Sequence, residues 1–185
     1  MDTEKLSRTT FGKIFIRLMA FIMESRFRYK FFGSKRILEG AGILAGMKVL
    51  EVGCGTGFFT IAAGRMLGDN GSLIAIDMLP ISVETVAKKV QEAKLSNVVQ
   101  VIKGDALDTK LERESFDEVI IFGVIPAPML PMEKLLKEMH RILHPGGVLA
   151  VWPPSWVHLA IAQSGYFKYM NRQNGVSNYQ RIDEK

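Results

Sequence analysis

From Gly46 onward, short apolar runs alternate with amphipathic stretches. Lys48–Val52, Ser72–Ile76, Val98–Lys103, Phe116–Phe122 and Val148–Trp152 are apolar runs of strand length. Each is halted by a residue that breaks the pattern: Gly53, Asp77, Gly104-Asp105, Gly123 and Pro153-Pro154. Between them, Phe58–Leu67, Ser82–Ala93 and Met132–Ile142 read as helices, the first closed by Gly68-Asp69-Asn70-Gly71 and the last by Pro145-Gly146-Gly147. A strand–helix–strand rhythm of this kind predicts a mostly parallel sheet with helices on both faces. A further helix is expected near Ser155–Gln163. Beyond it, Tyr166–Arg172 and Val176–Ile182 flank Gln173-Asn174-Gly175. Asn-Gly between two alternating runs favours a tight hairpin, so the sheet is expected to end in an antiparallel pair. The first 45 residues differ. Ile14, Leu18, Phe21 and Ile22 share one helical face, so this part reads as helical. No internal repeat or low-complexity tract interrupts the chain.

Composition narrows the picture. The chain has 185 residues, 48% hydrophobic and 23% charged, which suits one domain with a real core. A net charge of +5 invites nucleic acid or an anionic membrane as a partner. The charge is not evenly spread, however. Residues 1–36 carry nine Lys and Arg against three acids, a net +6, and the remainder is nearly neutral. A neutral body argues against an extended nucleic-acid track. The single cysteine, Cys54, excludes an internal disulfide and a thiolate zinc cluster, and no metal is expected. Ile14–Met23 is too short for a transmembrane helix, which needs about 20 residues, and it contains Arg17. Glu24-Ser25-Arg26-Phe27-Arg28 follows it without a small-residue cleavage site, so a secretory signal is not read there. The expectation is a soluble cytoplasmic protein.

The chemistry concentrates at strand ends. Gly53-Cys54-Gly55-Thr56-Gly57 joins the first strand to the first helix. In a doubly wound sheet that turn faces the ligand crevice, where glycines permit tight geometry and close approach. The helix that follows turns its N-terminal N–H groups to the same place. Asp77 ends the second strand, where a carboxylate accepts hydrogen bonds from ribose hydroxyls. The spacing is G-x-G-x-G and not the dinucleotide G-x-G-x-x-G. A tight turn without ligand is the bland alternative, and the ordered set of glycine loop, Asp77 and Gly104-Asp105 speaks against it.

Four stretches together resemble the class I S-adenosylmethionine-dependent methyltransferase family. They are Leu50-Glu51-Val52-Gly53-Cys54-Gly55-Thr56-Gly57, Ile74-Ala75-Ile76-Asp77, Gly104-Asp105-Ala106, and Met139–Gly147 running into Val148. The resemblance covers the chain from about Lys48 onward. It implies a Rossmann-like, seven-stranded, mostly parallel α/β sheet with a C-terminal antiparallel hairpin. It divides the chain into a helical N-terminal lid, 1–46, and a cofactor-binding domain, 47–185. It implies S-adenosyl-L-methionine as cofactor, with Gly53, Cys54, Gly55, Thr56 and Gly57 lining the methionine half and Glu51 directed to its amino group. Asp77 would hold the ribose hydroxyls, Met78 would lie against adenine, and Asp105 and Ala106 would meet the adenine edge. Phe122 and Gly123 would offer backbone carbonyls to the ammonium.

No residue stands out as a catalytic base. The loop after the fourth strand reads Gly123-Val124-Ile125-Pro126-Ala127-Pro128. It lacks the Asn/Asp-Pro-Pro-Tyr sequence of amino-methylating nucleic-acid enzymes and the carboxylates of metal-dependent catechol methylation. The single cysteine also departs from arsenite methylation. What remains is a small, lipophilic or aromatic acceptor. Phe27, Tyr29, Pro126 and Trp152 are the expected substrate-facing residues. The aromatics of the N-terminal segment alternate with Arg26, Arg28 and Lys30, which suits a lid helix or peripheral membrane contact. Cys54 is expected to be structural, and His140 and His144 to be solvated or to cap a helix end. Two other readings compete: a nicotinamide-dependent oxidoreductase, and a module that binds the cofactor without transfer.

Overall fold

The computed structural model describes residues 33–124, 131–153 and 157–183. Phe27, Tyr29, Pro126, Pro128 and Trp156 lie outside the described residues. The strands are β1 (Lys48–Val52), β2 (Ser72–Asp77), β3 (Val99–Lys103), β4 (Phe116–Phe122), β5 (Leu143–Trp152), β6 (Phe167–Gln173) and β7 (Val176–Arg181). They form one sheet in the order β3-β2-β1-β4-β5-β7-β6. β1 to β5 pair in parallel, whereas β7 runs antiparallel to both β5 and β6. The helices are α1 (Ser34–Ala41), α2 (Thr60–Leu67), α3 (Pro80–Glu92), α4 (Met132–Ile142) and α5 (Val157–Gln163). The expected sheet and terminal hairpin are present.

Alternation along the strands builds two cores. On β1, Val49 belongs to one apolar cluster with Ile37, Leu38, Leu67 and Leu73. Its neighbours Leu50 and Val52 belong to the other, with Val119, Leu135 and Met139. Successive side chains of a strand point to opposite faces, so a strand covered on both sides must be apolar throughout. Amphipathic α4 closes the second core with Leu135, Leu136, Met139 and Ile142, all buried. At the hairpin, Asn174 and Gly175 take φ of +50° and +85°, the geometry of a type I′ turn. Asn174 Nδ2 donates to Arg36 O and Asn178 Nδ2 to Gly40 O, tying α1 to the hairpin.

No helix replaces the crossover between β3 and β4. Segment 107–111 is instead strapped to α4 through the Glu138 carboxylate. Oε1 accepts from Thr109 N (2.9 Å) and Thr109 Oγ1 (2.6 Å), and Arg141 donates to both oxygens at 2.8 Å. Arg141 Nη2 also donates to Leu111 O. Burial raises the Glu138 pKa, but these donors outweigh it and hold the carboxyl at about 2. A depressed carboxyl stabilises the fold above its unfolded pKa and loses that contribution as pH falls toward the folded value. Glu138→Ala is therefore expected to lower stability by on the order of 2 kcal/mol at pH 7. The deficit should shrink as pH drops from about 4.5 toward 2, as urea midpoints at pH 7 and pH 3 would show.

Candidate cofactor site

The strand order reverses direction between β1 and β4. The chain moves outward through β2 and β3 on one side, then returns to β4 and β5 on the other. Such a switch point opens a crevice at the carboxyl ends of the strands. The twelve residues expected to hold the cofactor all fall at the carboxyl ends of β1, β2, β3 and β4 or in the loops that follow.

The glycine loop is pinned from beneath. Gly53 N and Cys54 N both donate to Ile76 O, at 2.8 and 3.1 Å. Gly57 N donates to Cys54 O at 2.8 Å, which folds the loop back on itself. Lys89 Nζ, from α3, donates to Thr56 O at 2.9 Å. Gly53 and Gly55 have φ of +74° and +52°, where a side chain is strained. The two glycines differ in their surroundings. A Cβ on Gly53 would lie 2.4 Å from Val124 Cγ2, whereas one on Gly55 would meet nothing among the described residues nearer than Gly53 O at 4.0 Å. The open space beside Gly55 lets a ligand approach the backbone there. Thr56 Oγ1 is buried without a hydrogen-bond partner among the described residues.

Asp77 organises this end of the sheet. Its Oδ2 accepts from Gly55 N and its Oδ1 from Leu79 N, both at 2.9 Å. The carboxylate thus joins the glycine loop to the entry of α3. Each oxygen keeps a lone pair for a further donor. Gly104 N donates to Asp77 O, which brings the end of β3 alongside. There Asp105 is exposed, its Oδ1 accepting from Leu107 N at 2.9 Å. Met78 is half exposed next to Asp77, an apolar side chain at the crevice.

Glu51 sits deeper, at the end of β1. Its Oε2 accepts from Thr60 Oγ1 at 2.6 Å, and both residues are buried. Burial pushes the carboxyl up to about 8; the Thr60 bond pulls it down and the Asp77 charge raises it further. Cys54 is buried beside the same charges. Desolvation, then Glu51 and Asp77, drive its thiol pKa well above the usual range, so the thiol stays protonated.

On the β4 side, the Phe122 side chain is buried and packs edge-on against Phe59, 5.0 Å between ring centroids. Gly123 is exposed and its N–H donates to Trp152 O at 2.7 Å. Trp152 is buried, edge-on to Phe59 at 5.9 Å. His140 departs from the expectation of a solvated or capping residue. It is buried, its Nε2 is 2.7 Å from Ile182 O, and its ring lies against Tyr166. His144 stays partly exposed, 3.8 Å from Asp117.

Sequence reasoning missed Thr60, Val124 and Lys89. Thr60 carried a faint signal, a small hydroxyl residue in the first turn of the helix after the glycine loop. Val124 and Lys89 carried none, because their contacts with Gly53 and Thr56 are made across the fold.

Among the described residues, one cavity borders these elements and a larger one lies apart from them. The first, of about 260 Å³, lies on the outer side of the glycine loop, lined by Ser34, Thr56, Gly57, Phe58, Arg65 and Lys89 among others. The larger one, about 620 Å³, lies at the amino ends of β4 and β5, between α4 and the end of β7. Its Arg141 and Arg181 are paired with Glu138 and Glu114, at 2.8 and 2.9 Å, so it is a cross-braced groove remote from the glycine loop.

A family model for a methyltransferase domain matches residues 43–179. The demethylmenaquinone methyltransferase of Staphylococcus aureus (strain MRSA252) is 36% identical over 136 residues, which is 73% of this chain and 54% of that protein. The chain thus spans about half the length of the curated relatives it matches. Among solved structures, a SAM-dependent methyltransferase from Aquifex aeolicus superposes with a TM-score of 0.73 at 21% identity, covering 98% of both chains. Geranyl diphosphate C-methyltransferase from Streptomyces coelicolor A3(2) superposes with a TM-score of 0.62 at 14% identity, covering 75% of this chain and 59% of that one. On the family-model match, which spans about three quarters of its length, the chain belongs to the S-adenosylmethionine-dependent methyltransferase family.

Proposed function

We propose that this chain transfers a methyl group from S-adenosylmethionine to a lipophilic, aromatic acceptor of the quinol class. The observation that carries the acceptor is the 36% identity to a demethylmenaquinone methyltransferase across the cofactor domain. The cofactor reading rests on the crevice itself. Among the described residues, the open backbone at Gly55, a Thr56 Oγ1 without a partner and the spare lone pairs of Asp77 fit a ligand with an amino-acid end and a ribose. Asp77 would hold the ribose hydroxyls, Glu51 and the glycine loop the amino-acid end, and Met78 and Asp105 the adenine.

The bound sulfonium supplies an activated methyl group for in-line displacement. What the chain supplies is position. Asp77 and the Ile76 carbonyl hold the glycine loop rigid, so the donor end is presented in one geometry. Phe59, Phe122 and Trp152 form an apolar wall beneath the end of β4, which lowers water access near the acceptor side.

The N-terminal segment is read as the cover of the acceptor site and its contact with the acceptor's lipid surface. Two observations support this: the +6 charge of residues 1–36, and Ser34 lining the cavity beside the glycine loop, where that segment joins the fold. No helix of the described residues is long and apolar enough to cross a membrane. Deleting residues 1–32 leaves α1 intact. It is expected to cut turnover on a vesicle-borne quinol at least tenfold while changing the S-adenosylmethionine Kd less than threefold. Equal losses in both would assign the segment a structural role instead.

Calorimetry with S-adenosylmethionine and with NAD, followed by transfer of labelled methyl to demethylmenaquinol, tests the whole reading. S-adenosylmethionine binding with transfer is the expected result. NAD binding in its place would overturn the cofactor reading, and binding without transfer to any quinol would overturn the acceptor.

A further inference from the structure

Glu51 and Thr60 form a closed pair beneath the glycine loop. Thr60 is 0% and Glu51 2% exposed, and the Thr60 hydroxyl donates to Oε2 at 2.6 Å. Thr60 stands in the first turn of α2, so the helix that follows the glycine loop also clamps the carboxyl at the loop's base. Among the described residues no cation is paired with this carboxyl. β4 and β2 present Ile120 and Ala75 beside it in register. The charged and titratable groups nearby are Asp77 from β2 and the Cys54 thiol on the loop, while Lys89 of α3 is directed to Thr56 O.

This geometry constrains where a proton can sit. While Thr60 donates to Oε2, that oxygen is the carbonyl-like acceptor, and the proton of a neutral Glu51 is carried on Oε1. Among the described residues Oε1 accepts no hydrogen bond, which leaves it for a ligand's ammonium group. Proton and ammonium therefore compete for one atom. Resting on the cofactor reading above, we propose that Thr60 is a positioning residue that reserves Glu51 Oε1 for the ligand's ammonium, and that binding S-adenosylmethionine expels a proton from Glu51 to solvent. The exchange balances: a neutral carboxylic acid and an ammonium become a carboxylate–ammonium pair, and one proton enters the buffer. Burial supports it, since it holds the free carboxyl up to about 8, mostly neutral at pH 7.

The sign follows from linkage. A ligand that needs the ionised form binds more tightly as pH rises toward the free protein's pKa. Affinity for S-adenosylmethionine should climb about tenfold per pH unit between pH 5.5 and 7, where the ligand's own α-amino group, pKa about 8, stays charged. Calorimetry at pH 6.5 in two buffers of different ionisation enthalpy should report close to one proton released. Thr60→Val removes a donor that favours the ionised carboxyl. It should weaken binding about tenfold and move the pH at which affinity levels off upward. Thr60→Ser should restore both, and Glu51→Gln should flatten the profile.

Wild-type binding with no proton release, or a Thr60→Val protein whose Kd changes while its pH profile stays in place, would overturn the proposal and leave Thr60 a packing residue. A wild-type protein that binds no S-adenosylmethionine at any pH would overturn the cofactor reading, and this inference with it. Melting curves of the three variants show that each is folded before its profile is read.

Discussion

Replacing Asp77 with alanine is expected to weaken S-adenosylmethionine binding by on the order of 100-fold, close to 3 kcal/mol. Two losses coincide. In the proposed placement the ribose hydroxyls lose a charged acceptor, and hydrogen bonds to charged groups are among the stronger ones. The protein also loses its own use of that carboxylate, because Oδ2 holds Gly55 N and Oδ1 holds Leu79 N. Without it, two backbone donors at the crevice turn to water and the loop is freed to move. Asp77→Asn separates these effects in part. The amide keeps one acceptor and brings an NH2 that cannot accept from the second backbone donor. An intermediate loss of about tenfold is expected for it. Calorimetry gives both numbers, and an unchanged Kd for the alanine variant would remove Asp77 from the cofactor site. Melting temperatures without ligand report the second loss alone.

The fold was legible where a run of like residues ends on one that cannot continue it. β1, β4 and α4 have the boundaries that the pattern predicts, with Gly53 and Gly123 closing the two strands. Boundaries drifted where tertiary pairing competes with local signals. β5 was expected from Val148 and begins at Leu143, because Leu143 pairs with Phe116 ahead of Pro145-Gly146-Gly147 and the register shifts between Phe116 and Glu118. α2 begins at Thr60 and not Phe58, since the glycine loop extends through residues that are helical in composition. The helical reading of the first 45 residues is met within the described residues by α1 alone, closed by Gly42 in the left-handed region.

The site was legible in kind. Glycines and acids at strand ends could be placed by sequence, because strand ends define the crevice. Their partners could not. Glu51 and Thr60 are nine residues apart, and their contact depends on the angle at which α2 leaves the loop. His140 gave no hint of burial, because its partner is Ile182 O in the C-terminal strand region. Glu118 is a carboxyl buried in the middle of β4, read from sequence only as part of an apolar run. Its Oε1 has no partner among the described residues, and burial holds its pKa well above the carboxylate range, so the strand accommodates it as a neutral acid.

Gly53→Ala is the second large effect, and it separates backbone strain from steric overlap. At φ +74° an L side chain costs about 1–2 kcal/mol. The added Cβ would also lie 2.4 Å from Val124 Cγ2, a distance that bonded geometry cannot absorb without moving the valine or the loop. Overpacking of this kind costs typically 1–3 kcal/mol. The sum predicts a loss of about 2–5 kcal/mol, or a fall in Tm of about 5–15 °C for a chain of this length. Pairing the change with Val124→Ala removes the overlap and leaves the strain. The double variant should therefore recover about half the loss, although Val124→Ala alone is mildly destabilising because Val124 packs against the second core. Full recovery would mean that the backbone at Gly53 tolerates a side chain, and no recovery would mean that Val124 is not what confines the loop. Since Gly53 N is held by Ile76 O on one side and faces Val124 on the other, a loop displaced by the substitution has to break its anchor to β2. S-adenosylmethionine affinity should then fall with stability in the single variant and recover only as far as the melting temperature does in the double.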